Sequence, residues 1–157
     1  MNDYRTIRPH FGLGDLRFGA NYEEVRAYLG EPDTVTELVS RHRWITWEYS
    51  ALGIDASFDP EYDERLLALT TERQDALLNG HRLIGLTGET ILNRLQDYGL
   101  GKYRTDNVLV VGGWEAEFDL EDLEMRFDHY GEETVDRLQF ISWSVHITEN
   151  DVVMWPQ

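Results

Sequence analysis

Leu16-Arg17-Phe18-Gly19-Ala20-Asn21-Tyr22-Glu23-Glu24-Val25-Arg26-Ala27-Tyr28-Leu29 and, 66 residues further on, Arg82-Leu83-Ile84-Gly85-Leu86-Thr87-Gly88-Glu89-Thr90-Ile91-Leu92-Asn93-Arg94-Leu95 decide how the chain is read. Phe18 aligns with Ile84, Gly19 with Gly85, Asn21 with Thr87, Glu23 with Glu89, Val25 with Ile91 and Leu29 with Leu95. Ile54-Asp55-Ala56-Ser57-Phe58-Asp59 then aligns with Leu123-Glu124-Met125-Arg126-Phe127-Asp128, and Arg65-Leu66 with Arg137-Leu138. Similarity at an almost fixed offset is the mark of internal duplication. The expectation is two diverged copies of one helix-plus-meander unit, one over residues 1–78 and one over 79–157.

Local chemistry within each stretch points the same way. The side-chain oxygens of Asn21 and Thr87 suit the cap of a helix, where they accept from unpaired backbone N–H groups. Glu24 stands three residues after Asn21, where a capping-box partner belongs. Val25, Tyr28 and Leu29 share one helical face; Ile91, Leu92 and Leu95 share another. Gly30 and Pro32 stop the first helix, and Gly99 and Gly101 the second. Helices of about 10 residues are marginal alone, so a sheet must hold them.

Alternating runs follow each helix, at 34–40, 43–49, 53–59 and 65–70, and again at 107–111, 114–118, 123–128 and 136–147. Gly112-Gly113 is a hairpin signal, since glycine supplies positive φ. Trp114, Ala116 and Phe118 alternate with Glu115 and Glu117, the pattern of an antiparallel sheet with one wet face. The stretch 72–80 reads as a connector, with a short helix capped by Thr71. The fold class expected is α+β: two tandem copies of a helix plus a four-stranded antiparallel meander, their sheets side by side.

The pattern Leu16-x-Phe18-Gly19-x-Asn21-x-x-x-Val25-x-x-x-Leu29-Gly30, with Ile84-Gly85-Leu86-Thr87-x-x-x-Ile91 as a second occurrence, resembles the helix-entry motif of the β-lactamase-inhibitor-protein-like superfamily. Small outer-membrane assembly lipoproteins share that unit. The resemblance implies a concave, protein-binding sheet. It departs from the secreted inhibitors, which carry disulfides, and from the lipoproteins, which need a lipidated N-terminal Cys; this chain has no cysteine. No inhibitory loop residue carries over. An acidic, cytosolic binder of this kind looks like a bacterial immunity protein, which neutralises a toxin made by the same cell.

Composition narrows the partners. The chain has 157 residues, 41% of them hydrophobic and 28% charged, as expected of a globular protein. Lys and Arg number 14 against 30 Asp and Glu, a formal net charge of −16 shared by both halves. Such a chain repels phosphate backbones and anionic lipid, which excludes nucleic acid and membrane as partners and favours a basic protein or a cation. The absence of cysteine, of an apolar leader at Met1-Asn2-Asp3-Tyr4-Arg5 and of a long apolar run leads to a cytoplasmic expectation.

No constellation reads as catalytic. Phe11-Gly12-Leu13-Gly14-Asp15 lacks the glycine spacing and the Lys-Ser/Thr of a phosphate loop, so its glycines read as turn residues. His10, His42, His81, His129 and His146 show no mutual spacing of two to four, so no local metal motif exists. Asp59-Pro60-Glu61-Tyr62-Asp63-Glu64 lacks the order of a calcium loop and reads as a solvated hairpin turn. Neither catalytic group, cofactor nor metal is assigned. The acid-rich run 115–136, with ten carboxylates and the single base Arg126, reads as an electrostatic landing surface. The expected partner-binding residues are Glu115, Glu117, Asp119, Glu121, Asp122 and Glu124, with Trp44 and Trp143 as aromatic anchors and Trp155 as a further candidate. The function expected is a non-enzymatic, immunity-type inhibitor occluding a basic toxin. The alternative is a housekeeping scaffold that associates with itself through a sheet edge, as a homo-oligomer.

Overall fold

The computed structural model describes residues 2–39, 43–108, 113–129 and 133–156. Three short strands open the chain, β1 (Thr6–Arg8), β2 (Gly12–Leu13) and β3 (Leu16–Arg17). Helix α1 (Tyr22–Leu29) leads into β4 (Thr34–Val39), β5 (Arg43–Tyr49), β6 (Ile54–Asp59) and β7 (Arg65–Thr71). A short β8 (Leu77–Leu78) and helix α2 (Gly88–Leu92) come next, then β9 (Arg104–Val108), β10 (Gly113–Phe118), β11 (Leu123–Asp128) and β12 (Arg137–Ser144). A final pair, β13 (His146–Ile147) and β14 (Val153–Met154), closes the chain.

One antiparallel sheet of eight strands forms the body, in the order β4-β5-β6-β7-β12-β11-β10-β9. The expectation of an α+β protein made of two helix-plus-meander copies with their sheets side by side is therefore corrected. Strand accounts for 44% and helix for 11%, and the fold is mainly β. Both would-be sheets would have left a bare backbone edge at their junction, a site for unwanted pairing. Instead β7 and β12 pair directly, with Ile141 opposite Thr71 and Ser142 opposite Thr70. The Thr70 and Ser142 hydroxyls bond across that seam at 2.8 Å. The halves also differ in their additions. β8 pairs in parallel with β1, extending a small sheet β3-β2-β1-β8 that lies wholly in the N-terminal half.

Helix α1 is built as its residues dictate. The Asn21 side chain accepts from the Glu24 N–H at 2.9 Å, and the Glu24 carboxylate accepts from the Asn21 N–H at 3.2 Å. Gly30 ends it at φ +91°. The second helix is shorter than expected: α2 stops at Leu92, and tight turns replace helix as far as Gly99. Leu95 is accordingly outside it. Asn93 and Asp97 compete for the backbone and shorten helices, and the Asn79 amide donates to the Tyr98 carbonyl at 2.7 Å, fixing the turn. The connector 72–80 contains no helix; it turns and forms β8. Ser40, His42, Val110, Val111 and Gly112, which carried the end of an expected strand, a histidine, the end of a second strand and half of a hairpin signal, lie outside the described residues.

The inner face of the sheet carries the core. Trp47 and Tyr49, then Ile54, Ala56 and Phe58, then Leu69, Ile141, Met125, Phe127, Ala116 and Phe118 are all buried on it. Val25, Leu29 and Ile91 seat the helices there. Tyr22 stacks on Trp47 with ring centroids 5.0 Å apart. Gly88 opens α2 directly over Trp114: a Cβ there would lie 2.6 Å from the indole, so no larger residue fits without a shift. No helix among the described residues is long and apolar enough to cross a membrane.

Candidate functional site: the open sheet face

Side chains alternate across a strand, so burying one set turns the other outward. On the outer face stand Trp44, Thr46 and Glu48 of β5, Asp55 and Ser57 of β6, Ala68 and Thr70 of β7, Ser142 and Ser144 of β12, Glu124 of β11 and Glu115 and Glu117 of β10. All remain partly or well exposed. The middle of this face is short and hydroxyl-rich. Thr46 bonds Ser57 at 3.2 Å much as Thr70 bonds Ser142.

Carboxylates flank the hydroxyl floor. Glu48 lies directly opposite Asp55, and Glu117 directly opposite Glu124. Like charges in register oppose folding. The Asp55 carboxyl is raised above its ordinary pKa, first by burial, then by Glu48 and Glu72. Glu124 is raised in the same way: neighbouring sheet displaces solvent from its carboxyl, and Glu115 and Glu117 add repulsion. Neutralisation is partial. Arg104 holds Glu117 at 2.7 Å and Asp119 at 3.0 Å, and the buried Arg126 reaches Glu115 at 3.6 Å and Asp128 at 3.9 Å.

Two hollows lie on this face. One, of about 430 Å³, runs from Trp44 over Ala68 and Ser142 to Glu117, Asp119, Asp122 and Glu124. The other, of about 450 Å³, lies over Thr70 and Phe140 with Glu48, Asp55 and Glu72 around it. Six of the expected partner-binding residues therefore border one hollow: Trp44, Glu117, Asp119, Asp122 and Glu124, with Trp143 beneath them. Glu115 shares the face but stands beside Arg126. Glu121 turns elsewhere: its Oε1 accepts from the Gly101 N–H at 3.0 Å, and its Oε2 is buried with no hydrogen-bond partner among the described residues.

Trp143 is placed differently. It is 1% exposed, lies on the inner side and donates its indole N–H to the Gly12 carbonyl at 2.8 Å. It bolts the β1–β2 hairpin to the centre of the sheet. Trp155 packs against Gly19, with the Arg65 guanidinium 5.7 Å from its ring centre. The loop around Asp59 is a single 3-10 turn, Pro60–Tyr62, whose Asp59 carboxylate accepts from the Glu61 N–H at 2.8 Å.

Sequence reasoning missed the second acidic group, Glu48, Asp55 and Glu72. Its signal was available in parity, since Glu48 shares the strand face of Trp44. It also missed two clusters with donors for a cation, His10 with Asp122 and His146, and Asp128 with His129 and Asp136. Comparison with known proteins finds no matching family model, no matching curated protein and no matching solved structure.

Proposed function

We propose that the protein is a non-enzymatic binding module whose open acidic sheet face receives a basic protein surface. The observation that carries this reading is the pair of in-register carboxylate contacts, Glu48 with Asp55 and Glu117 with Glu124, on a face left uncovered by the described residues. Charge concentrated at a cost to folding is compensated when a cationic partner docks. The hydroxyl floor supplies hydrogen bonds, and Trp44 a flat apolar contact. In its narrower form the module is a cytoplasmic immunity-type inhibitor and the partner a toxin.

The test compares two baits in native lysate at low salt, the natural chain and a variant carrying Asp55→Lys with Glu124→Lys. The expected result is one stoichiometric basic protein, held by the natural chain, lost from the variant and released by salt. A partner retained equally by the variant, or insensitive to ionic strength, overturns the reading.

A second reading has its own observation. Edge strand β4 is exposed along its whole length, with Val35, Leu38 and Val39 each more than half exposed. An apolar, unpaired strand edge supports self-association. Sedimentation of the natural chain against Leu38→Lys separates the two: a dimer abolished by the substitution favours the scaffold reading.

A further inference from the structure

His10, Asp122 and His146 are separated by more than a hundred residues at the extremes, yet they meet at one point. Each is held in place by hydrogen bonds of the fold around it. The Trp143–Gly12 bond draws in the β1–β2 hairpin, and His10 occupies its turn at φ +64°. Asp122 ends the β10–β11 turn at φ +48°, and its carbonyl accepts from the Ser144 N–H at 3.1 Å. His146 follows two residues after Ser144, where the Val145 N–H is tied to the Leu67 carbonyl at 2.9 Å. The three side chains therefore converge on the end of β12, from three separate segments.

Their geometry is specific. The Asp122 Oδ2 lies 2.8 Å from the His10 Nε2 and 2.8 Å from the His146 Nδ1. The three donor atoms fall within 4.8 Å of one another. We propose that His10, Asp122 and His146 form a binding site for one divalent transition cation, of which Zn²⁺ is the best fit. Two imidazole nitrogens and one carboxylate oxygen make a borderline donor set that selects Zn²⁺ and its neighbours over Mg²⁺ and Ca²⁺, which prefer oxygen alone. Zinc–ligand distances of about 2.0–2.2 Å are reached by small side-chain rotations that open the present hydrogen bonds. Side-chain exposures of 42%, 23% and 50% leave the site open to an entering ion and to a water in the fourth position. The net charge of −16 raises the local cation concentration.

The second cluster is less suited. It has one imidazole, and Asp136 already accepts from the Trp114 indole at 2.9 Å and meets the His129 Nδ1 at 3.1 Å.

The site is independent of the partner reading, although Asp122 also borders the hollow under Trp44. The experiment titrates the chelator-stripped chain with zinc chloride near neutral pH, by calorimetry and thermal melting, and repeats it with cobalt chloride for its visible absorption. One saturable site per chain is expected, selective over Mg²⁺, raising the melting temperature and weakening as acid protonates the imidazoles. His10→Asn, chosen because Asn tolerates positive φ, and His146→Gln should each weaken binding at least roughly tenfold, while His129→Gln leaves it unchanged. Circular dichroism confirms that the variants fold; should either fail, shifts of the His10 and His146 ring resonances on adding zinc to the natural chain give the same answer. No saturable binding, binding indifferent to both histidines, or binding that follows His129 overturns the proposal and leaves a hydrogen-bonded His-Asp-His cluster.

Discussion

Trp143 shows what one buried donor does. Its indole N–H reaches the Gly12 carbonyl, where a Cβ on Gly12 would lie 1.9 Å from the Leu16 carbonyl oxygen. Trp143→Phe removes the donor of this buried hydrogen bond, so it should cost about 1–3 kcal/mol, measured as a lower denaturant midpoint. Asp55 and Glu124 act in the opposite sense. Their folded pKa values are raised, so each favours the folded state only when protonated. That contribution is present below the ordinary carboxylate range, near pH 4, and is lost as pH rises through the raised folded value. Asp55→Asn and Glu124→Gln should therefore stabilise the protein at pH 7 by about 0.5 kcal/mol each, a figure limited by solvent screening. The gain should vanish below the carboxylate range, and a gain of equal size at pH 3 would count against the stated cause. At this scale the sequence told faces apart, setting Trp114, Ala116 and Phe118 against Glu115 and Glu117. It could not place His10 beside His146, because three-dimensional closure, not spacing, unites them.

Helices α1 and α2 answer to different controls. The first has a reciprocal cap, and Asn21→Ala should lower stability by about 1 kcal/mol, read by urea unfolding. The second is held by packing. Ile91 is fully buried, and Ile91→Ala should cost about 2–5 kcal/mol. Leu95 is only partly buried and outside the helix, so Leu95→Ala should cost clearly less in the same assay. Where an element is governed by local chemistry, the sequence was readable: the Asn21–Glu24 box, the Gly30 stop of α1 and the alternation from Trp114 to Phe118 all appear in the structure. Elements decided by distant partners were not. β8 exists because β1 offers it an edge, and the turn that follows α2 is fixed by the Asn79 amide on the Tyr98 carbonyl. The same reason hid the seam, since nothing local in β7 or β12 announces that each will be the other's neighbour. It also hid half of the acidic face, whose two carboxylate groups belong to strands far apart in the chain.

For the molecule as a whole, the seam joins strands from both halves of the chain in one sheet. The sheet runs through it, and the core is continuous beneath. Calorimetry should therefore record one cooperative transition, with calorimetric and van't Hoff enthalpies in agreement, and not two separable halves. Added salt should raise the melting temperature, because it screens the self-repulsion of a chain carrying −16. The same seam bears on how the protein is born. β12 is the last of that sheet's eight strands to be synthesised, yet it stands in the middle of the sheet, between β7 and β11. Until it leaves the ribosome, β7 is a bare apolar edge and Gly12 waits for a tryptophan 131 residues away. Contacts that distant close slowly. The nascent sheet thus carries an open edge until its last strand arrives, and the strand that completes the sheet is also the one that hides that edge.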